Sequence, residues 1–413
     1  MARKYVYELD NSAIIHLATL SKHDSNVYRL QLELTEPVDP RMLQTALDRV
    51  VPRFPTIAAG IWQGWFRCGL VPVKHIQVQP DPGVLITMTR AEIDKCALRM
   101  YYKDNLLSGE FFHSLSDGTG AGVFMKTLLA EYLRLRHGVA FTGDGILPLD
   151  QEPAPSELVD DFHTHSGGPK ASLGQAQSYQ IPGMALAGTR TQILAQDYDA
   201  AAVKAAARRY GVTVNTLLTA VMFRSVAQIS REGGNPQNRP IRLMVPVNLR
   251  RLFPSTTLRN FSYFSLPGVT EEEGLAPMDQ LVANVQTQLA KLCDKEVLRA
   301  AITTNTSLDK NPLFKLIPLP VKRAILKQAN LMLGSKASCM SLTNLGVLSV
   351  PPEASVYVRD IRYMLTPRTQ SPYNCTVSTY GNTCGITFSC LNNQAGLETK
   401  FRANMEKILE ENE

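Results

Sequence analysis

The chain has 413 residues, 44% of them hydrophobic and 19% charged, with a formal net charge of +6. That balance is ordinary for a folded globular protein and excludes an intrinsically disordered one. The modest charge comes without a Lys/Arg-rich tract, which argues against nucleic-acid binding, and no apolar run approaches the ~18–20 residues of a membrane-spanning helix.

Seven cysteines (Cys68, Cys96, Cys293, Cys339, Cys375, Cys384 and Cys390) form no CxxC pair and have no histidines at zinc-finger spacing. Reduced core thiols are expected, and a metal site is not. The N-terminal stretch carries no signal-peptide pattern, since His16 interrupts its short apolar run, so a cytoplasmic location is expected.

Residues 25–34 (SNVYRLQLEL) partly alternate and predict a strand. A helix follows over residues 40–50. Asp39 caps it, Pro40 suits its first position, and Leu43, Ala46, Leu47 and Val50 share one face. Residues 56–99 read as strands broken by Gly and Pro, with Trp62 and Trp65 packed or lining a pocket. Two strands are predicted at Ala97–Tyr102 and Leu106–Phe112, then an amphipathic helix from about Gly120 to Arg136, with Gly138 as its C-terminal cap.

From about residue 141 to 188 periodicity fades, and Pro, Gly, Ser and Asp dominate. That stretch predicts a crossover, placed at 166–190 between a first lobe, 1–165, and a second, 191–413. The second lobe reads as a strand at Thr191–Leu194, helices at Asp199–Tyr210 and Thr213–Ile229, and the strand IRLMVPVNL. An irregular loop runs to Pro267. Helices follow at about Pro277–Cys293 and Pro312–Leu333. Strands at Cys339–Leu342, Ser355–Leu365, Cys375–Tyr380 and Gly385–Leu391 lead to a final helix, Glu398–Glu410. Strand and helix material on both sides of a linker predicts two α/β lobes.

The informative string is Phe112-His113-Ser114-Leu115-Ser116-Asp117-Gly118. A strand ends on a histidine, and four residues later an aspartate and a glycine turn the chain into a long helix. A spaced His, Asp and Gly recur by chance, and a lone histidine at a strand end is usually structural. The strand before and the helix after narrow the reading. A histidine titrates near neutrality and can take a proton from an alcohol as a bond forms. Gly118 lets the backbone turn closely at the helix start.

With its context, this string resembles the HxxxDG signature of the chloramphenicol acetyltransferase-like superfamily, which includes peptide-synthetase condensation domains. The resemblance is nearest to the standalone bacterial proteins termed alcohol acetyltransferase-like. Val245-Pro-Val-Asn-Leu-Arg250, Arg259-Asn260-Phe261 and Ser341-Leu-Thr-Asn344-Leu-Gly346 follow in the expected order. Phe112 replaces the first histidine of the HHxxxDG form, and the DFGWG motif of the plant members is absent. The resemblance implies an α/β fold of two lobes, each a mixed sheet flanked by helices, with a tunnel between them. It implies that His113 is a general base and that Asp117 supports the loop by pairing with Arg250. Asn260, Ser341 and Asn344 are candidate tunnel-lining residues, and a turn-forming role for Asn344 is equally open.

The activity so implied moves an acyl group from a thioester, acyl-CoA as co-substrate, to the hydroxyl of a small-molecule acceptor. No permanently bound cofactor is implied. Two alternatives stay open: a condensation-type, amide-forming enzyme whose donor is held on an acyl carrier protein, and a non-catalytic member that only binds a ligand. The apolar stretch PLFKLIPLPVKRAILKQANLMLG, with Lys315, Lys322, Arg323 and Lys327, reads equally as a core helix with a basic face or as a channel mouth or peripheral membrane contact. His16, His23, His75, His137, His163 and His165 show no constellation, and the last two are expected to be exposed.

Overall fold

A computed structural model describes the chain apart from residues 1–5, 10, 22, 23, 25, 144, 172–176, 184–190, 308–310, 312, 313, 315, 334, 335, 369, 370, 392–395, 412 and 413. His23, Lys315 and much of the expected crossover therefore lie outside the described residues.

Val27 to Leu30, Leu32 and Leu34 are buried, because the strand Val27–Leu34 sits inside a five-stranded sheet. The order is Val358–Leu365, Val27–Leu34, Leu106–Phe112, Leu98–Lys103, Val78–Pro80. Helix Pro40–Val50 lays Leu43, Ala46, Leu47 and Val50 on the core, and Asp39 caps it by accepting from the Arg41 and Met42 amides. The long helix Gly118–His137 packs against it. It ends at Gly138, whose φ of 68° is the left-handed conformation a Cβ would disfavour. A three-stranded sheet of Tyr7–Glu8, Cys68–Pro72 and Ala59–Gln63 completes this side.

The second lobe centres on a seven-stranded sheet. Its path runs Ser262–Ser265, Ile241–Asn248, Met340–Val347, Tyr373–Tyr380, Thr383–Cys390, Gln192–Asp199, and Gly268–Val269 pairs with Ile241–Asn248 off that path. Helix Val214–Gly233 is buried along most of its length, with Met278–Leu292 and Leu397–Glu410 packed on it. Each lobe has its own apolar core, and each fully buried Leu, Val or Phe is worth roughly 1.5–3 kcal/mol. The architecture is the two-lobed α/β arrangement with mixed sheets that the sequence predicts.

Several features depart from the sequence reading, among them the strand Ser262–Ser265 inside the stretch read as an irregular loop. Arg90–Lys95 is a helix within the stretch read as strands, started by a reciprocal capping box between Thr89 and Glu92. Lys295–Thr306 is a helix capped by Asp294 with Leu298, Ile302 and Thr306 buried. Trp65 is neither packed nor pocket-lining: it stands on a hairpin tip and is 77% exposed.

The strand Val358–Leu365 belongs to the second half of the sequence yet forms the edge of the first sheet, antiparallel to Val27–Leu34. It is also tied to the second sheet. Thr376 Oγ1 donates to the Tyr363 carbonyl at 2.5 Å and Ser378 Oγ to the Ile361 carbonyl at 3.0 Å.

Candidate active site

His113 is the first residue beyond the strand Leu106–Phe112. Its amide donates to the Asn26 carbonyl at 3.0 Å, one step past the Phe112–Val27 pair. The chain then turns sharply, with the Leu115 amide donating to the Phe112 carbonyl at 2.9 Å. Asp117 caps the helix through Oδ1, which accepts from the Thr119 and Gly120 amides at 3.0 and 3.2 Å.

The other carboxylate oxygen reaches across to the second lobe. Oδ2 accepts from Arg250 Nη1 at 2.6 Å and from the Phe261 amide at 2.8 Å. Arg250 spends its remaining donors on main-chain carbonyls of Thr257 and Arg259, at 2.7–3.2 Å. Both side chains are nearly closed to solvent, 6% and 11% exposed. Ser116 Oγ donates to the Leu258 carbonyl at 2.6 Å, and Asn248 Nδ2 to Thr119 Oγ1 at 3.1 Å. The loop that presents His113 is thus clamped between lobes, and the Asp117 carboxylate points at Arg250 rather than at the imidazole.

Gly118 and Gly120 are both sites of close approach. A Cβ on Gly118 would lie 2.7 Å from Leu345 Cδ2, the end of a flexible side chain. A Cβ on Gly120 would meet the Leu258 carbonyl and Ser116 Oγ even more closely. Those groups belong to the clamp, so the stricter requirement for glycine lies at Gly120, which the motif alone does not reveal.

Around the His113 ring the packing is aromatic. Tyr28 meets it edge-on, ring centroids 5.3 Å apart, and donates its hydroxyl to the Asp117 carbonyl at 2.9 Å. His16 lies flat against it, with centroids 4.8 Å apart and planes 15° from parallel. This corrects the expectation that His16 lacks a constellation. The helix Asn11–Ala18 is fixed by two bonds from the motif side: Ser114 Oγ to the Ala13 carbonyl at 2.8 Å, and Asn26 Nδ2 to the His16 carbonyl at 3.1 Å. No spacing rule links residue 16 to residue 113, so the stack is invisible in sequence.

Burial lowers the His113 imidazole below its ordinary value, with the cation of Arg368 acting in the same direction. The main chain of His113 and the Asp117 charge oppose this. His16 is lowered further, first by burial, then by His113 and Arg368. Arg368 sits in a turn closed by reciprocal main-chain bonds with Ser371 and anchored by Thr366, whose amide and hydroxyl both donate to the Val27 carbonyl at 3.0 and 2.7 Å. His113 Nδ1 is sealed from solvent and bonds to no other residue, while the residue keeps partial exposure, so the Nε2 edge is the open side. A base with Nε2 free carries its proton on Nδ1.

The remaining candidates serve turns or strands. Asn260 Oδ1 accepts from the Ser262 hydroxyl and amide at 2.8 and 3.3 Å, next to Phe261. Asn344 Oδ1 accepts from the Gly346 amide at 2.8 Å, where Gly346 has a φ of 75°. Ser341 is a buried strand residue, paired in register with Asn374. Among the described residues, none of the three bonds to His113. The two described clefts lie elsewhere, one at Thr164–Pro169 beside Arg299 and one beside Arg242 and Gln288. His165 is half-buried rather than fully exposed, its Nε2 3.1 Å from the Pro254 carbonyl and its ring beside Phe253 and Phe261.

No family model matches the sequence, and no curated protein matches it. Solved structures do. F. graminearum TRI101, complexed with coenzyme A and T-2 mycotoxin, is 11% identical with a TM-score of 0.64, over 98% of this chain and 97% of its own. TRI3 trichothecene 15-O-acetyltransferase from Fusarium sporotrichioides is 11% identical with a TM-score of 0.62, over 98% and 94%. The first condensation domain of the CDA synthetase is 14% identical with a TM-score of 0.59, over 99% and 95%. The chain has the two-lobed fold of chloramphenicol acetyltransferase-like acyltransferases and condensation domains. The likeness spans both lobes, since each match covers nearly the whole of both chains.

Proposed function

We propose that the chain is an acyltransferase that moves an acyl group from acyl-CoA to the hydroxyl of a small-molecule acceptor, with His113 as general base. The observation that carries this reading is the presentation of His113. It stands at a strand end, on a loop clamped between lobes, with its Nδ1 sealed and its charged form disfavoured by burial. A histidine kept neutral in this way is ready to accept a proton at neutral pH.

In the proposed reaction the acceptor hydroxyl gives its proton to Nε2 as its oxygen attacks the thioester carbonyl. The tetrahedral adduct then collapses, the carbon–sulfur bond breaks, and the CoA thiolate takes the proton back from His113. Asp117 takes no proton. Its oxygens are held by three main-chain amides and Arg250, and it acts by fixing the turn. A channel between the lobes would bring donor and acceptor to the base from opposite faces.

The test is transfer from a panel of acyl-CoA donors to alcohols and amines, with products identified by mass spectrometry. His113→Ala should lower turnover by about 10²–10⁴-fold while leaving the fold intact. A folded variant with turnover near that of the parent protein would remove His113 from the role. The likeness to a condensation domain supports a second reading, amide formation from a donor on a carrier protein. Transfer only from acyl-phosphopantetheinyl protein, and none from acyl-CoA, would favour it. Binding without transfer from either donor would favour a ligand-binding role.

A further inference from the structure

The hairpin joining Ala59–Gln63 to Cys68–Pro72 turns through Gly64–Arg67, closed by the Gly64 amide on the Arg67 carbonyl at 2.9 Å. Its tip carries Trp65 and Phe66, 77% and 48% exposed. The start of helix Leu319–Leu333 is bonded to this tip. The Leu319 amide donates to the Trp65 carbonyl at 2.6 Å, Lys322 Nζ donates to the Phe66 carbonyl at 3.1 Å, and the Arg323 guanidinium donates to Gln63 Oε1. Leu319, Lys322 and Leu326 face inward. On the outer side Val321 and Ile325, one helical turn apart, are 48% and 44% exposed, and Leu316 just before the helix is 71% exposed. Five large apolar side chains from two distant segments therefore stand together in water, a feature that marks an interaction surface rather than a packing accident.

Charge selects the partner. Neither segment carries an acidic residue over a long span: there is no Asp or Glu from Arg49 to Pro80, or from Lys310 to Pro352. The same spans hold Arg67, Lys322, Arg323 and Lys327, with Arg67 and Lys327 exposed beside the apolar side chains. Of the acids among the described residues that approach this region, Asp94 is engaged by Gln63 and Arg90, and the exposed Glu8 stands opposite Gly69 on the strand paired with the hairpin. A tryptophan and a phenylalanine at a hairpin tip, an aliphatic stripe beside them and a basic fringe are the composition that seats at the headgroup level of an anionic bilayer.

We propose that this face docks peripherally on an anionic lipid bilayer. Trp65, Phe66, Leu316, Val321 and Ile325 enter the headgroup–acyl boundary, and Arg67 and Lys327 meet lipid phosphates. The inner side of the same helix packs on Asn11–Ala18, which carries His16. The docked surface is then one helix away from the reacting centre, on the side where a lipid-soluble substrate would leave the bilayer.

The full-length protein is mixed with phosphatidylcholine vesicles, with or without phosphatidylglycerol, and sedimented. It should partition onto the mixed vesicles, bind pure phosphatidylcholine weakly, and lose binding as salt rises. The double variant Trp65→Ser/Phe66→Ser and the single variant Lys327→Glu should each reduce partition, the former by at least about tenfold. Melting temperature and transfer between water-soluble substrates should not change, because none of these residues belongs to the His113 site. Failure of the parent protein to bind mixed vesicles would overturn the proposal, as would undiminished binding by the double variant. A self-associated form that the double variant dissolves, without vesicle binding, would instead make this face an interface between copies.

Discussion

The imidazole of His16 lies parallel to that of His113, 4.8 Å away, and closes one face of the proposed base to water. Burial is the chief reason that His113 is lowered below its ordinary value. In the proposed reaction the stack would support the base by exclusion of solvent, with His16 as a positioning residue. His16→Phe keeps the flat apolar face and should leave the acid limb of the kcat/KM profile where it is. His16→Ala admits water and should move that limb upward, toward the ordinary histidine range. Identical profiles for all three proteins would dismiss this role.

The same two rings set a pH dependence of stability. Both are held below the ordinary value of 6.5 in the folded state. As pH falls below that value the unfolded chain binds protons that the native state refuses, so stability drops with falling pH and is unaffected above it. Each such proton contributes a slope of up to about 1.4 kcal/mol per pH unit. Denaturant unfolding at pH 7 and at pH 5 should show the loss, and His16→Phe should make the slope shallower. A slope unchanged by the substitution would mean that His16 does not contribute.

Asp117 and Arg250 form a nearly dry ion pair between lobes. Removing one partner of such a pair leaves the other unpaired and costs roughly 3–5 kcal/mol. Asp117→Asn and Arg250→Ala should each lower stability and turnover. Because the pair is lost only once, the double variant should be less damaged than the sum of the single effects. Strict additivity in chemical denaturation would show that the two residues act independently.

Gly120 is the sharper packing test. Gly120→Ala drives a methyl group into the Leu258 carbonyl and Ser116 Oγ, and should cost about 1–3 kcal/mol with loss of turnover as the loop shifts. Gly118→Ala meets only the mobile end of Leu345 and should be milder. The reverse order in thermal unfolding would contradict the clamp described for this loop.

Much of this was readable in the sequence because its signals are local. The Asp39 cap with the stripe Leu43, Ala46, Leu47, Val50, and the left-handed Gly138 after a long helix, are written in neighbouring residues. The pairing of Asp117 with Arg250 was accessible only through the resemblance, since the residues are 133 positions apart. The helix Arg90–Lys95 is short enough that its Thr89–Glu92 capping box, rather than any periodicity, defines it. His16 and Arg368 escaped because nothing in their own surroundings marks them. They reach His113 by way of Asn26, whose side-chain amide holds the His16 segment and whose carbonyl takes the His113 amide, and of Val27, whose carbonyl holds Thr366.

The edge strand Val358–Leu365 has a consequence for synthesis. The Thr366 hydroxyl, at its end, is bonded to Val27 across 339 positions of sequence. During translation the first sheet cannot close until almost all of the chain has left the ribosome, although its other strands emerge early. Until then Val27–Leu34 offers an open, apolar edge of the kind that pairs with other chains. The nascent first half is the stage at which this protein is most exposed to aggregation, and the one at which a chaperone would matter most.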